Sequence, residues 1–167
     1  ELKTYTGISG TGQDQNLANA VDASSREIDA LCSRIFYQTS SEDRYYTPIF
    51  NDEVQVDDVS SATGLVVKLD TTNDGTHNKT LTINTDFVLT PFNNVDTPEQ
   101  PSPFTGIQIL TTRSNERFLT SIIKQIKVTA LFGYTSVPHA IKQACLLQGL
   151  RLFKRKDSPF STYGNPE

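Results

Sequence analysis

The chain has 167 residues, a formal net charge of −4, 36 % hydrophobic and 20 % charged residues. That is enough to bury a real core, and no stretch approaches the roughly 18 consecutive apolar residues of a membrane span. The charge is segregated: residues 1–137 carry ten Lys and Arg against seventeen Asp and Glu, a balance of −7, whereas residues 138–156 carry five bases and no acid.

The chain opens on Glu1-Leu2-Lys3-Thr4-Tyr5. It lacks a secretory pattern and an initiator Met, so the expectation is a start slightly inside the gene product. A short helical turn is expected near Leu2 to Tyr5, ending at Gly7, with Gly10-Thr11-Gly12 as the link to a longer helix. That first long helical pattern places Leu17, Val21, Ser24, Ile28, Leu31 and Ile35 alternately four and three residues apart. The spacing forms one stripe of a helix over 14–35, with Asp14 as its N-cap.

Between 36 and 134 the period changes to two. Val54-Gln55-Val56, Leu65 to Leu69, Thr80 to Ile83, Phe87 to Leu89, Ile107 to Leu110 and Ile122 to Val128 all read as strands. Asn73-Asp74-Gly75 is a turn signal that makes 64–83 a hairpin. Strands recurring without intervening helices imply an antiparallel sheet or small barrel. Pro91 to Pro103 holds four of the eight prolines, so it is expected as a long exposed loop.

The last helix is expected over 138–156. Pro138 stands at its first position, and Ile141, Ala144, Cys145, Leu146, Leu150, Leu152 and Phe153 give it a broad apolar surface. Gly149 in its middle costs about 1 kcal/mol relative to Ala, which points to a close approach by another helix. Cys32 and Cys145, both within apolar helical patterns, are expected to be buried free thiols, consistent with assembly in a reducing cytoplasm.

No catalytic constellation stands out, and no cofactor or metal is implied. His77 and His139 have no Cys, Asp or Glu nearby at ligand spacing. Asp70 to Gly75 begins like a calcium loop, but Leu81 stands where a bidentate Glu is required, so a turn is the reading. Asp57 and Asp58 are adjacent in a strand and point to opposite faces, which makes them a poor acid/base pair. No nucleophile elbow, phosphate loop or dinucleotide fingerprint is present. Lys154-Arg155-Lys156 beside Phe153 and Phe160 has the residue types for nucleic-acid contact, against an acidic remainder.

Two groups of residues carry a family resemblance. Phe132-Gly133-Tyr134, then Val137-Pro138, then Arg151-Leu152-Phe153-Lys154-Arg155-Lys156-Asp157-Ser158-Pro159-Phe160 resemble the C-terminal part of head–tail connector (adaptor) proteins of long-tailed double-stranded DNA bacteriophages. Leu2 to Ile8, Ala23 to Asp29 and Arg34-Ile35-Phe36-Tyr37 resemble the opening turn and first long helix of that family, and the exit from that helix. Lys156 replaces the commoner Arg, and the middle of the chain matches weakly.

The resemblance implies a structural, non-enzymatic virion protein of the neck, assembled in the host bacterial cytoplasm. Its partners would be other copies of itself in a ring of twelve, the portal protein, and the stopper or tail-completion protein. Genomic DNA would pass through the lumen without sequence-specific contact, and no membrane is involved. The resemblance makes Arg151, Lys154, Arg155, Lys156, Asp157, Ser158, Pro159 and Phe160 the portal-side candidates.

The expected fold is α+β. One connector domain spans 1–167, with two long packed helices, 14–35 and 138–156, carrying an antiparallel β-rich insertion over 36–134 and an extended tail over 157–167. A stopper or tail-completion protein, or a nucleic-acid-binding module using the basic helix, are the alternatives.

Overall fold

The computed structural model of the chain describes residues 2–94, 97 and 101–155. The chain divides into two compact units: Glu1–Arg34 with His139–Glu167, and Ile35–Pro138.

The second unit holds seven strands: β1 (Glu42–Tyr46), β2 (Glu53–Val59), β3 (Val66–Leu69), β4 (Lys79–Leu81), β5 (Phe87–Thr90), β6 (Phe104–Ile109) and β7 (Ile126–Ala130). They form two sheets, ordered β1-β7-β3-β4 and β2-β6-β5, and every pairing is antiparallel. Alternation decides what each strand buries. Ile126, Val128 and Ala130 of β7 turn inward while Lys127 and Thr129 do not, and Val67 and Leu69 of β3 do the same.

The inward sets join Val59, Phe87, Ile107, Phe118 and Phe132 in one apolar core. Burying each such side chain contributes about 1.5–3 kcal/mol relative to exposure. The polar interior is satisfied in part by Gln125, whose Oε1 accepts the Leu119 N–H at 2.9 Å.

The β3–β4 hairpin turns at Asn73-Asp74-Gly75, where Asn73 has φ 57° and Gly75 φ 81°. Asp70 holds the turn. Its Oδ1 accepts the Thr72 and Asn73 N–H groups at 3.0 and 2.7 Å, and Oδ2 accepts that of Gly75 at 2.8 Å. The carboxylate is thus used up by backbone donors.

The first unit contains α1 (Leu2–Thr6), α2 (Asp14–Cys32) and α3 (His139–Arg155). Leu2, Leu17, Ala20 and Phe153 form its small core, with Val21, Leu146 and Leu150 packed against it. The N-cap of α2 is Gln13 rather than Asp14. Asp14 lies in the first turn, where its carboxylate meets Lys3 Nζ at 2.6 Å.

The expectation of two long packed terminal helices around a β insertion is overturned. Among the described residues the protein is mixed, with three helices and two antiparallel sheets of seven strands in all. The helices are 5, 19 and 17 residues long. They do not make the principal core, because α2 buries only Leu17, Ala20 and Ser24, and α3 only Gly149 and Phe153. The strands bury the larger apolar set and stand as a unit with its own interior.

Other expectations also change. Helix α2 stops at Cys32 because Ser33 turns left-handed at φ 52°, its N–H closing on the Ala30 and Asp29 carbonyls. Ile35 therefore leaves the helical stripe, Leu31 is 84 % exposed, and Cys32 is exposed rather than buried. Strand β1 was not legible, since Glu42-Asp43-Arg44-Tyr45-Tyr46 has no apolar alternation. The 122–128 run becomes strand only from Ile126, because Lys124 adopts φ 57° and breaks the ladder. Of the 91–103 loop, Phe92 is exposed as expected, whereas Pro101 and Pro103 are buried.

Candidate docking surface on the C-terminal helix

Helix α3 begins at His139, directly after Pro138, a ring already set near helical φ with no N–H to leave unsatisfied. Its seventeen residues include Lys142, Arg151, Lys154 and Arg155 and no acid. Lys154 and Arg155 fall in the last turn, where cations offset the carbonyl end of the helix dipole.

One side of α3 is committed to α2. At Gly149 an added Cβ would lie 3.3 Å from Leu2 Cδ2 and 3.4 Å from Ser24 Oγ, so the absent side chain permits the close approach. Ser24 is fully buried there, with Oγ 2.9 Å from the Val21 carbonyl oxygen and 3.2 Å from both the carbonyl oxygen and Sγ of Cys145. Gln148 Nε2 donates to Glu27 Oε2 at 2.8 Å. His139 and Lys142 face Tyr5 of α1 across an open groove of about 690 Å³.

The other side is exposed and continuous. Gln143, Leu147, Arg151 and Lys154 recur at intervals of four, four and three, which places them on one helical face. Leu147 at the middle of that face is 49 % exposed. Arg151, Lys154 and Arg155 are exposed, and none forms an ion pair with a described residue. An apolar anchor flanked by cations that pair with no described residue suits a partner that is partly apolar and partly acidic.

Of the portal-side candidates, the structure thus brings Arg151, Lys154 and Arg155 together within the last turns of α3. Lys156, Asp157, Ser158, Pro159 and Phe160, with the rest of the 157–167 tail, lie outside the described residues. Leu147 is not among the apolar residues that the sequence reading picks out; its spacing of four and three to Arg151 and Lys154 was the available signal.

The other singled-out residues fall elsewhere. Asp57 is exposed and Asp58 buried, on opposite faces of β2. Asp57 Oδ2 takes Arg44 at 2.9 Å and the Tyr46 hydroxyl at 2.9 Å. Arg44 also binds Glu42 and lies 4.0 Å from the centre of the Phe132 ring, so this cluster fastens β1. His77 Nε2 lies 3.0 Å from the Lys124 carbonyl oxygen and its ring packs on Tyr45. Among the described residues no three His, Cys, Asp or Glu side chains are placed to hold a metal ion. No helix among them is long and apolar enough to cross a membrane. No family model matches the chain, and no curated protein or solved structure matches it either.

Proposed function

We propose that the chain is a structural virion protein, a head–tail adaptor that assembles as a ring beneath the phage portal and presents a surface to the stopper or tail-completion protein. The observation that carries this reading is the outer face of α3. A helix that buries two of its seventeen residues and shows an acid-free face centred on Leu147 is suited to being covered by another protein.

Packing inside the β unit supports the same reading. The family-like stretches Ile35-Phe36-Tyr37 and Phe132-Gly133-Tyr134 meet although nearly a hundred residues separate them. The rings of Phe36 and Tyr134 are 5.1 Å apart, and the Tyr134 N–H donates to the Tyr37 carbonyl at 3.4 Å. These two stretches of the resemblance thus form one joint.

The test is co-expression with the portal protein of the phage genome that this reading implies. The expected result is a complex that negative-stain imaging resolves as a second ring under the portal. Failure to bind that portal, with folded protein in hand, rejects the adaptor role. The cations of α3 also favour one rival, a nucleic-acid-binding module. Tight DNA binding at physiological salt with a steep salt slope would replace the adaptor reading by that one.

A further inference from the structure

The Ile35–Pro138 unit carries an apolar patch built by two loops, 47–52 between β1 and β2 and 118–125 before β7. The loops are tied at both ends. The Lys124 N–H donates to Thr47 Oγ1 at 2.9 Å, and the Phe118 N–H donates to the Asn51 carbonyl at 2.8 Å. Between the ties stand Ile49, Phe50 and Ile123, exposed by 80, 62 and 79 %, with Leu119 partly exposed beside them. Neither 47–51 nor 118–123 contains a charged residue. Together they show an apolar area on the order of 500 Å², near the top of the range for a monomer surface and a size that marks interaction sites.

The patch is held rather than slack. Phe118 and Ile122 are buried beneath it, and the left-handed Lys124 is held on both sides, by Thr47 at its N–H and by His77 at its carbonyl. Pre-ordered apolar side chains lose little conformational freedom on binding.

Charge selects the occupant. The unit from Ile35 to Pro138 carries seven Lys and Arg against twelve Asp and Glu. Asp52 closes the first loop and Glu53 follows it, and neither forms an ion pair with a described residue; Lys124 is the one cation within the two loops. The surface complementary to an apolar patch with an acidic border is the outer face of α3, where Leu147 stands among Arg151 and Lys154. We infer that the patch seats the Leu147 face of α3 from a second copy of this chain. The inference rests on the ring reading above and names the two surfaces that would join neighbours. The contact is heterologous, since the two copies contribute different surfaces, so it repeats from copy to copy.

Sedimentation of the full chain over a wide concentration range tests this. The wild type should associate beyond a dimer as concentration rises. A patch variant (Phe50→Ser with Ile123→Ser) and a helix variant (Leu147→Ser with Arg151→Glu) should each associate about tenfold more weakly or worse. All four positions are exposed, and circular dichroism melts matching the wild type verify the fold. Mixed in equal amounts, the two variants retain one good patch and one good helix between them, so the mixture should regain association but stop at a dimer. A wild type that stays monomeric, a variant that associates normally, or a mixture that gains nothing overturns the inference. Portal binding is scored separately: a chain that binds portal without this contact keeps the adaptor role and loses the inference, and the converse holds too.

Discussion

Gly133 stands against the backbone of Tyr37 so closely that a Cβ on it would fall 1.9 Å from the Tyr37 carbonyl oxygen. Its φ is +93°, a region that side-chain-bearing residues avoid, and its N–H donates to the Asp58 carbonyl at 2.7 Å. Three segments distant in sequence therefore converge on one residue. Gly133→Ala should cost roughly 3 kcal/mol or more, since it combines backbone strain with a clash against an atom that cannot swing aside. Urea unfolding followed by tyrosine fluorescence would measure it. A loss under about 1 kcal/mol would mean that the segments do not meet this tightly.

The sign at Gly149 is opposite. There the neighbours of an added Cβ are the flexible end of Leu2 and the Ser24 hydroxyl, at 3.3 and 3.4 Å. Gly149→Ala gains about 1 kcal/mol of helix propensity and loses a comparable amount to crowding, so stability should move by less than about 1 kcal/mol. Gly149→Leu should destabilise the helical unit by about 2–3 kcal/mol, because a full side chain forces α3 off α2. Chemical denaturation followed by helical circular dichroism separates the two variants.

Acid should weaken the β unit through four carboxylates. The Lys127 ammonium and then the Thr129 hydroxyl hold Asp43 below its ordinary pKa. Burial opposes the charge at Asp70, but backbone N–H donors led by Gly75 outweigh it. The Thr76 N–H lowers Asp74, and the Thr82 N–H with the Ser114 hydroxyl lowers Asp86. A folded-state pKa below the unfolded value near about 3.9 stabilises the fold fully above that pH, and the stabilisation is lost as pH falls through the folded value. The thermal midpoint should therefore fall as the pH drops below about 4. Asp70→Asn should lower the midpoint at neutral pH and flatten that acid limb; an unchanged limb would remove Asp70 from the account.

Reversing charge on the outer face of α3 should separate stability from docking. Arg151→Glu with Lys154→Glu touches exposed side chains that form no ion pair with a described residue, so unfolding should shift within about 0.5 kcal/mol for each substitution. Association between copies of the chain should weaken by at least about tenfold, readable by sedimentation. Normal association by this variant would clear α3 of a docking role.

Periodicity in the sequence determined much of the β unit. Val67 and Leu69, and Ile126 and Val128, are inward because alternation on a strand leaves no other arrangement. Asn73-Asp74-Gly75 set the hairpin because it supplies residues that tolerate positive φ where the turn needs them. The acid-free run from 138 to 156 was equally plain, and three of its bases, Arg151, Lys154 and Arg155, do gather on the last turns of α3.

Only the tertiary structure decided what covers each apolar face. Leu31 and Leu147 follow helical spacing as faithfully as Leu17, yet they are exposed, because no other part of the described chain packs over them. Strand β1 carries no apolar alternation and forms because Arg44 finds Glu42, Asp57 and the Phe132 ring, partners up to eighty-eight residues away. Ile123 lies within a strand-like run but faces solvent, since Thr47 and His77 hold Lys124 in a left-handed turn. A period states which face of an element is apolar; burial depends on contacts distant in sequence, and these no local pattern encodes.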